Sequence, residues 1–238
     1  MIVGKRHFKP AWWSLALTLC GMAVFIVLGL WQLDRAELKE GIEARFQQRL
    51  GEDYRSWSAT QDDEDIEYRR LLLQGRYDNE HSLLVDNQLH RGRAGYYILT
   101  PLQLRDSDRV VLVNRGWAAW GESRDHPAPI AAPSNADGVA GIAYFPGEPA
   151  LAMGGLQLSE GWPQLIPYID IDALQVAYDN RLLPWVLWLA PEQPGAYVRD
   201  WKPVWMRPEK SRAYATQWFA FAALALIFFI ILNLRKVE

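Results

Sequence analysis

The sequence predicts an α+β membrane protein in which two transmembrane helices flank one β-rich domain. Three observations predict this class. Apolar runs without a charged residue lie near the two ends of the 238-residue chain, at residues 11–33 and 214–234. The residues between them, 34–213, are enough chain for a domain with its own core. Strand patterns dominate this middle part, so we expect an antiparallel sheet or a partly closed barrel.

The first apolar run is long enough to cross a membrane, because a helix of ~20 apolar residues spans the hydrocarbon core. It is longer than the apolar region of a signal peptide, and no A-x-A-like site follows it. We therefore expect an uncleaved anchor. The ten residues before the run are not rich in Ser and Arg, unlike a mitochondrial transit peptide, and this favours a bacterial protein.

The distribution of charge predicts which side of the membrane each part occupies. The tails, residues 1–10 and 235–238, are basic, whereas residues 34–213 carry 20 Lys and Arg against 27 Asp and Glu. Short basic flanks stay in the cytoplasm. We expect a multi-pass protein of the bacterial inner membrane, with both termini cytoplasmic and the main domain periplasmic.

The middle of the chain begins as a helix that continues the first span. Leu38, Ile42, Phe46 and Leu50 recur at every fourth position between charged residues. Six segments then have the residue pattern of strands. A short helix capped by Asp170 or Asp172 is predicted to end near residue 178. The predicted strands are 68–77, 82–86, 96–104, 109–114, 139–145 and 184–190. Pro101 lies inside the third strand and predicts an edge or a bulge there.

The sequence contains none of the motifs that mark nucleotide, zinc or serine-hydrolase sites. Its one cysteine, Cys20, excludes a C-x-x-C dithiol, and no two histidines have metal-ligand spacing. Two spans without a charge argue against a transporter. We expect no catalytic residue, no metal site and no nucleic-acid partner, and hence a protein that is not an enzyme.

Arginines and tryptophans are the better candidates for binding. Arg35 follows the first span, and Arg115 follows the most β-branched strand, directly before Gly116. A guanidinium makes bidentate pairs with carboxylates such as the propionates of a haem, although salt bridges within this acid-rich domain are an alternative role. Six tryptophans lie near the predicted ends of the spans, as membrane anchors or as walls for a flat ligand: Trp12, Trp13, Trp31, Trp201, Trp205 and Trp218.

Five separated motifs make the chain similar to a known family. They are G-x-W-Q-x-x-R-x-x-x-K at 29–39; Tyr68-Arg69-Arg70 with Gly75 and Tyr77; Asp86-Asn87 with Gly95-Tyr96 and Thr100-Pro101-Leu102; the run 111–117, which ends in Asn114-Arg115-Gly116-Trp117; and 214–219, YATQWF. In this order, and between two spans, they resemble the surfeit locus protein 1 family of assembly factors for haem–copper cytochrome c oxidase.

The resemblance implies a role in the maturation of oxidase subunit I, in which haem a is presented or held transiently near its insertion site. It also implies subunit I, other assembly factors and membrane lipid as partners. One position departs from the family, because Ser211 stands where members commonly carry a histidine thought to help hold haem. A hydroxyl is a poor substitute for an imidazole ligand. The alternative is a membrane-anchored scaffold that docks on oxidase subunits without binding haem.

The resulting candidate haem pocket contains eight residues: Trp31, Gln32, Arg35, Arg115, Trp117, Tyr214, Gln217 and Trp218. Six of them lie where the first span ends or the second begins, and they would share one pocket if the spans pack as neighbours. Tyr214 is a possible tyrosinate ligand, but an interfacial anchor is its other role.

Overall fold

The computed structural model describes residues 2–3, 6–8, 10–59, 65–121, 135–147, 155–194, 197–203 and 207–236. The chain divides into a helical unit, residues 1–45 with 202–238, and a barrel unit, residues 46–201. The elements, numbered in chain order, are β1 Ile2–Val3, β2 Arg6–Phe8, α1 Trp12–Leu50, β3 Arg55–Ser56, β4 Arg70–Tyr77, β5 Leu83–His90, β6 Arg93–Leu104, β7 Val110–Ala119, β8 Asn135–Tyr144, β9 Gln164–Ile166, α2 Ile171–Leu174, the 3-10 helix Gln175–Tyr178, β10 Leu182–Leu189, α3 Pro208–Leu232 and β11 Leu234–Lys236.

The two long helices, α1 and α3, are each long and apolar enough to span a membrane. α1 continues to Leu50, as its pattern predicts, although Leu38 is exposed and does not form part of a buried stripe. α3 begins at Pro208, six residues before the predicted start of the second span. Proline suits the first turn of a helix because its missing N–H would have no partner there, and the acidic Glu209 suits the same turn.

The tails of the helical unit form a three-stranded antiparallel sheet that the sequence analysis did not predict. β2 pairs with β1 on one side and with β11 on the other. In this register Leu234 lies opposite Phe8, and the Phe8 ring contacts the ring of Phe229 edge to face. The first and last described residues of the chain therefore lie together.

The sheet of the barrel unit closes on itself through β4, β8, β10, β7 and β6, because β6 also pairs with β4. The prediction of an antiparallel sheet or partly closed barrel is therefore too conservative. This barrel is closed, and its β7–β10 pair is parallel. Closure depends on β6, which pairs with β5 up to Leu99 and with β4 from Leu102. Pro101 lies at this change of neighbour, where a proline is tolerated.

The main hydrophobic core fills the barrel. Alternate residues of the strands point inward, as the two-residue period of a strand requires. The largest is Trp185, which is fully buried and meets Trp57 edge to face at 5.1 Å. A smaller cluster of Leu84, Tyr96 and Ile98 forms a second core.

Hydrogen bonds from arginine side chains connect the end of α1 to the residues around β4. Asp65 accepts hydrogen bonds of 2.7 Å from both Arg49 and Arg69, and Arg69 also donates to Glu52 at 2.9 Å. Arg70 donates to the backbone carbonyl of Glu52 at 3.1 Å. The second sequence motif, Tyr68-Arg69-Arg70, therefore contributes structural contacts where the helix ends.

Candidate functional site

In the helical unit, α1 and α3 pack against each other through a close contact at Gly29. A Cβ atom at this position would lie 2.5 Å from the ring of Phe219, so only glycine allows this approach. One residue before Phe219, Trp218 stacks on Phe25 of α1 with ring centroids 5.9 Å apart. The two candidate spans are thus neighbours, which is the condition under which a shared pocket was expected.

A polar contact joins the same helices beyond the apolar part. Lys39 Nζ donates a hydrogen bond of 2.8 Å to Ser211 Oγ, and Arg212 pairs with Glu40 at 2.8 Å. Ser211 is only 4% exposed. Lys39 closes the first sequence motif, and Ser211 occupies the position of the family histidine, so the contact joins two positions that the sequence analysis singled out.

The predicted pocket residues of the helical unit form two separate groups. Arg35 lies over the ring of Trp31 at 5.7 Å, a cation–π contact, and Gln32 beside them is half-buried. Tyr214 and Gln217 are exposed. Trp218 packs between Phe25 and Phe221, as the two ring contacts show. Within the described helices, no hydrogen bond, ion pair or ring contact joins the first group to the second.

Arg115, in the barrel unit, is a buried cation. Its side chain is only 5% exposed, with Nη1 3.4 Å from the hydroxyl of Thr100 and the guanidinium 5.2 Å from the ring centre of Tyr197. Burial lowers the pKa of Arg115. Burial also raises the pKa of the neighbouring Tyr77 to about 12, against the opposing effect of Arg115. The arginine keeps its charge, so the site is suited to an anionic group that can reach it.

Residues 197–201, here called the strap, cross over Arg115 and are held by its sequence neighbours. The backbone of Trp117 pairs with Val198 in both directions, at 2.8 and 2.9 Å. Gly116 makes this possible, because its φ is +122° and a Cβ atom there would lie 2.8 Å from the Val198 carbonyl oxygen. The Asn-Arg-Gly-Trp motif thus requires glycine at position 116 so that the strap can pack closely against it.

Arg199 is a residue of this site that sequence reasoning missed. Its guanidinium donates to the carbonyl oxygen of Arg115 at 2.9 Å and to that of Gln193 at 2.6 Å, with further bonds to the carbonyls of residues 190, 191 and 194. Burial, followed by the nearby charge of Arg115, lowers its pKa. No motif or period marked Arg199, because its partners are backbone carbonyls, which no residue type signals: those of residues 190–194 in the preceding turn and that of the distant Arg115.

Trp117 packs against the hairpin between β5 and β6 in the barrel unit. Its indole Nε1 donates to the carbonyl of Gln88 at 2.9 Å, and His90 lies against its ring at 5.2 Å. A Cβ atom at Gly95 would lie 2.5 Å from the same indole. The third and fourth motifs therefore meet here, and the ring of Trp117 is largely buried.

A row of aromatic rings, not predicted from the sequence, lies elsewhere on the barrel unit. It runs Tyr97, Trp201, Trp188, Tyr144 and Tyr68, with successive centroid distances of 5.8, 5.3, 4.1 and 6.4 Å. Trp201 was expected as a membrane anchor or ligand wall, but here it stacks on Trp188 and donates to the Leu189 carbonyl at 2.8 Å. Trp205 lies outside the described residues.

Comparisons with known proteins agree with the resemblance in the motifs. The SURF1 family model matches residues 19–223. A SURF1-like protein of Dictyostelium discoideum is 34% identical over 115 residues, which are 44% of this chain and 42% of that protein. Cytochrome oxidase assembly protein SHY1 of Saccharomyces cerevisiae is 32% identical over 93 residues, 38% of this chain and 24% of that protein. The chain spans less than half the length of these curated relatives.

Proposed function

The chain belongs to the SURF1 family, and from this membership we propose that it acts in the assembly of cytochrome oxidase. One observation carries the proposal: the family match runs from residue 19, inside the first candidate span, through the barrel unit to residue 223, inside the second. The name of the yeast relative, Cytochrome oxidase assembly protein SHY1, gives the role.

We place the protein in the inner membrane of a bacterium, with both tails in the cytoplasm and the barrel unit in the periplasm. Two features support this arrangement. The tails pair in one sheet through β2 and β11, so they share a side of the membrane. The tails are basic and residues 34–213 are acidic on balance, which is the charge asymmetry of a translocated domain.

We further propose that its target is subunit I of the oxidase and that it helps haem a reach that subunit. Each unit by itself offers a candidate: in the helical unit Arg35 would pair with a propionate and Trp31 or Trp218 would offer an apolar face, and in the barrel unit Arg115 and Trp117 would have these roles. When bound, the haem would bring its iron as the redox centre of the finished oxidase, while this chain would only hold and orient it. The cationic character of the buried Arg115 site supports an anionic cargo.

A second candidate function is a scaffold that docks on subunit I and other assembly factors without haem, and Ser211 favours it. At the position of the family histidine, the hydroxyl is buried and accepts a hydrogen bond from Lys39. The residues present therefore suit the propionates, but this position offers the iron no imidazole. The two candidates share the oxidase partner and differ only in the cargo.

Purification after co-expression with haem a synthesis separates the two candidates. If the chain holds haem, the purified protein shows a Soret band at near-stoichiometric haem, and Arg115→Gln or Trp218→Phe removes it. Arg105→Gln, on a residue bonded to Gln74 at 2.8 Å, is the matched control and keeps the band. A colourless protein that still co-purifies with subunit I contradicts the haem role and leaves the scaffold.

Ser211→His gives a second arm of the same experiment. Where haem is already held by its propionates, a new imidazole at this position would shift the Soret band and slow the loss of haem to an apoprotein acceptor. If Ser211→His leaves both the position of the band and the rate of loss as in the wild type, haem does not lie next to this position.

A further inference from the structure

The aromatic row joins two partly exposed regions of the barrel unit through buried rings. Tyr97 and Trp201 are half-buried at one end, and Tyr144 is half-buried further along. Between them, Trp188 is only 7% exposed and stacks on both Trp201 and Tyr144, with ring planes inclined by 15° and 20°. Stacked, nearly parallel rings in van der Waals contact are well suited to electronic coupling.

The chemistry of the row is more specific than its shape. Tyrosine and tryptophan lose an electron far more readily than phenylalanine or the aliphatic residues. The rings from Tyr97 to Tyr68 are all of these two types, whereas Phe46, which lies beside the row at 5.4 Å from Tyr68 and 6.4 Å from Trp188, is not. Packing alone would be satisfied by any large apolar side chain.

The hydrogen-bond partners of the row favour tyrosine as the final site of oxidation. Trp201 donates its indole N–H to a backbone carbonyl, which is a poor base, so an oxidised Trp201 keeps its proton and remains a strong oxidant. Tyr97 and Tyr144 are half-buried, so water can accept the phenolic proton when the electron leaves. Burial raises the pKa of both tyrosines, and the charge of Glu67 at Tyr144 and of Asp200 at Tyr97 acts in the same direction.

We propose that the aromatic row is a path that carries a one-electron oxidising equivalent through the barrel unit, from Trp201 by way of Trp188 to Tyr144. An oxidant takes one electron from Trp201 and is reduced. Trp201 recovers it from Trp188, and Trp188 from Tyr144. Tyr144, which is half-buried, loses its phenolic proton to solvent and becomes a neutral radical, and a quinol converts this radical back to tyrosine by giving one hydrogen atom and becoming a semiquinone.

The identity of the natural oxidant rests on the proposed function. A protein that handles an iron porphyrin next to an oxygen-consuming enzyme meets peroxide, and an iron porphyrin that has reacted with peroxide is a strong one-electron oxidant. The row would move that oxidising equivalent away from the cargo. The test uses a synthetic oxidant, so its result does not depend on whether haem is bound.

The experiment uses the full chain in detergent with a photosensitiser fixed beside Trp201. A ruthenium tris-bipyridine label is attached at Lys202→Cys, in a Cys20→Ser, Tyr97→Phe background that leaves one direction for transfer. After flash-quench oxidation of the label, radicals are followed by transient absorption and by electron paramagnetic resonance. Trp188→Phe and Trp188→Tyr are compared, because they differ by one hydroxyl and only tyrosine is readily oxidised.

The path predicts a tyrosyl radical in the parent that is lost in Tyr144→Phe and in Trp188→Phe. It is kept in Trp188→Tyr and in the control Trp120→Phe, whose indole lies outside the row and bonds to Asp86. An unchanged tyrosyl signal in Trp188→Phe would overturn the proposal, and so would a radical that stays on tryptophan in the parent. If the protein gives these radical signals but is purified without haem, the electron path is supported and the haem-holding role is contradicted.

Discussion

The barrel unit and the helical unit distribute their large apolar side chains in opposite ways. In the barrel unit, Trp185 and the inward-facing residues of the other strands are buried. In the helical unit, Leu17 is 69% exposed and Leu232 is 78% exposed, and the buried positions include the small Ala36 and Ala215. Water stabilises the first arrangement through the hydrophobic effect, whereas the second is the distribution typical of helices that pack in lipid.

The contacts inside the two units differ accordingly. The barrel is held by large side chains that interdigitate and by a closed ring of five paired strands. The helical pair is held by close approach at Gly29 and by the polar contact of Lys39 with Ser211. The comparison predicts that truncating large residues damages the barrel, whereas enlarging small ones damages the helix pair.

The largest expected effect is in the barrel core. Trp185→Ala removes the largest fully buried side chain and should lower the free energy of unfolding by about 4 kcal/mol. Leu226→Ala, on the half-exposed surface of α3, is the comparison and should change it little in detergent. Urea unfolding of the full chain, followed by tryptophan fluorescence and far-ultraviolet circular dichroism, measures both. Equal losses in the two variants would contradict the distinction between the units.

A glycine substitution in the strap region comes next. Gly116→Ala combines an unfavourable φ with contact against Val198, and should cost about 3 kcal/mol. Gly92→Ala is the matched control, since Gly92 also has a positive φ, +78°, but open space around its Cβ position. It should cost about 1 kcal/mol in the same unfolding measurement. If Gly116→Ala and Gly92→Ala lower the free energy of unfolding equally, the packing of the strap is not the reason that Gly116 is required.

In the helical unit, Gly29→Val should be the damaging change. The added side chain meets the ring of Phe219 and should weaken helix packing by about 2 kcal/mol. Gly21→Val is the control in the same helix, because a Cβ atom at Gly21 would have no neighbouring atom within 4 Å. Disulfide formation between cysteines placed at positions 25 and 218, in a Cys20→Ser background, measures the packing. A Gly29→Val protein that forms the bond as fast as Gly21→Val would contradict the predicted contact.

The smallest expected effect depends on pH. Hydrogen bonds from Arg49, and then from Arg69, hold the pKa of Asp65 well below its ordinary value. Because the pKa is lowered by folding, Asp65 stabilises the fold fully above its ordinary pKa of about 3.9, and this contribution is lost as the pH falls below that value. The midpoint temperature of thermal unfolding should therefore fall less steeply in Asp65→Asn than in the wild type as the pH is lowered from neutral to strongly acid. Asp53→Asn, on a neighbouring exposed residue, should retain the wild-type slope.

The parts that the sequence predicted are those in which local pattern determines structure. The length of α1 followed from its apolar run and the period after it. Residue type predicted a helix cap at Asp170 or Asp172, and the structure has it at Asp170, which accepts from the backbone of Ala173 at 3.0 Å. Closure of the barrel did not follow, because β4 and β6 meet through register and not through any local signal. The aromatic row was missed for the same reason, since its rings come from distant parts of the sequence. Arg199 was missed because it binds backbone carbonyls, which leave no mark in the sequence.

The candidate site also has one part that the sequence predicted and one part that it did not. The motif around Arg115 and Gly116 was identified from the sequence, but its tie to the strap required the three-dimensional structure. The expectation that six residues of the spans share a pocket depended on side-chain directions that a linear pattern does not contain. The structure describes two groups there, around Trp31 and around Trp218, and their role in binding haem remains a prediction.

The most direct test of the central proposal is the level of assembled cytochrome oxidase in cells that lack this protein. The gene is deleted in its own host, any second family copy is removed, and the membranes are assayed for haem a content and for oxidase activity. The proposal predicts that both fall and that the wild-type chain restores them. Normal oxidase activity with a normal amount of assembled subunit I in the deletion strain would contradict it.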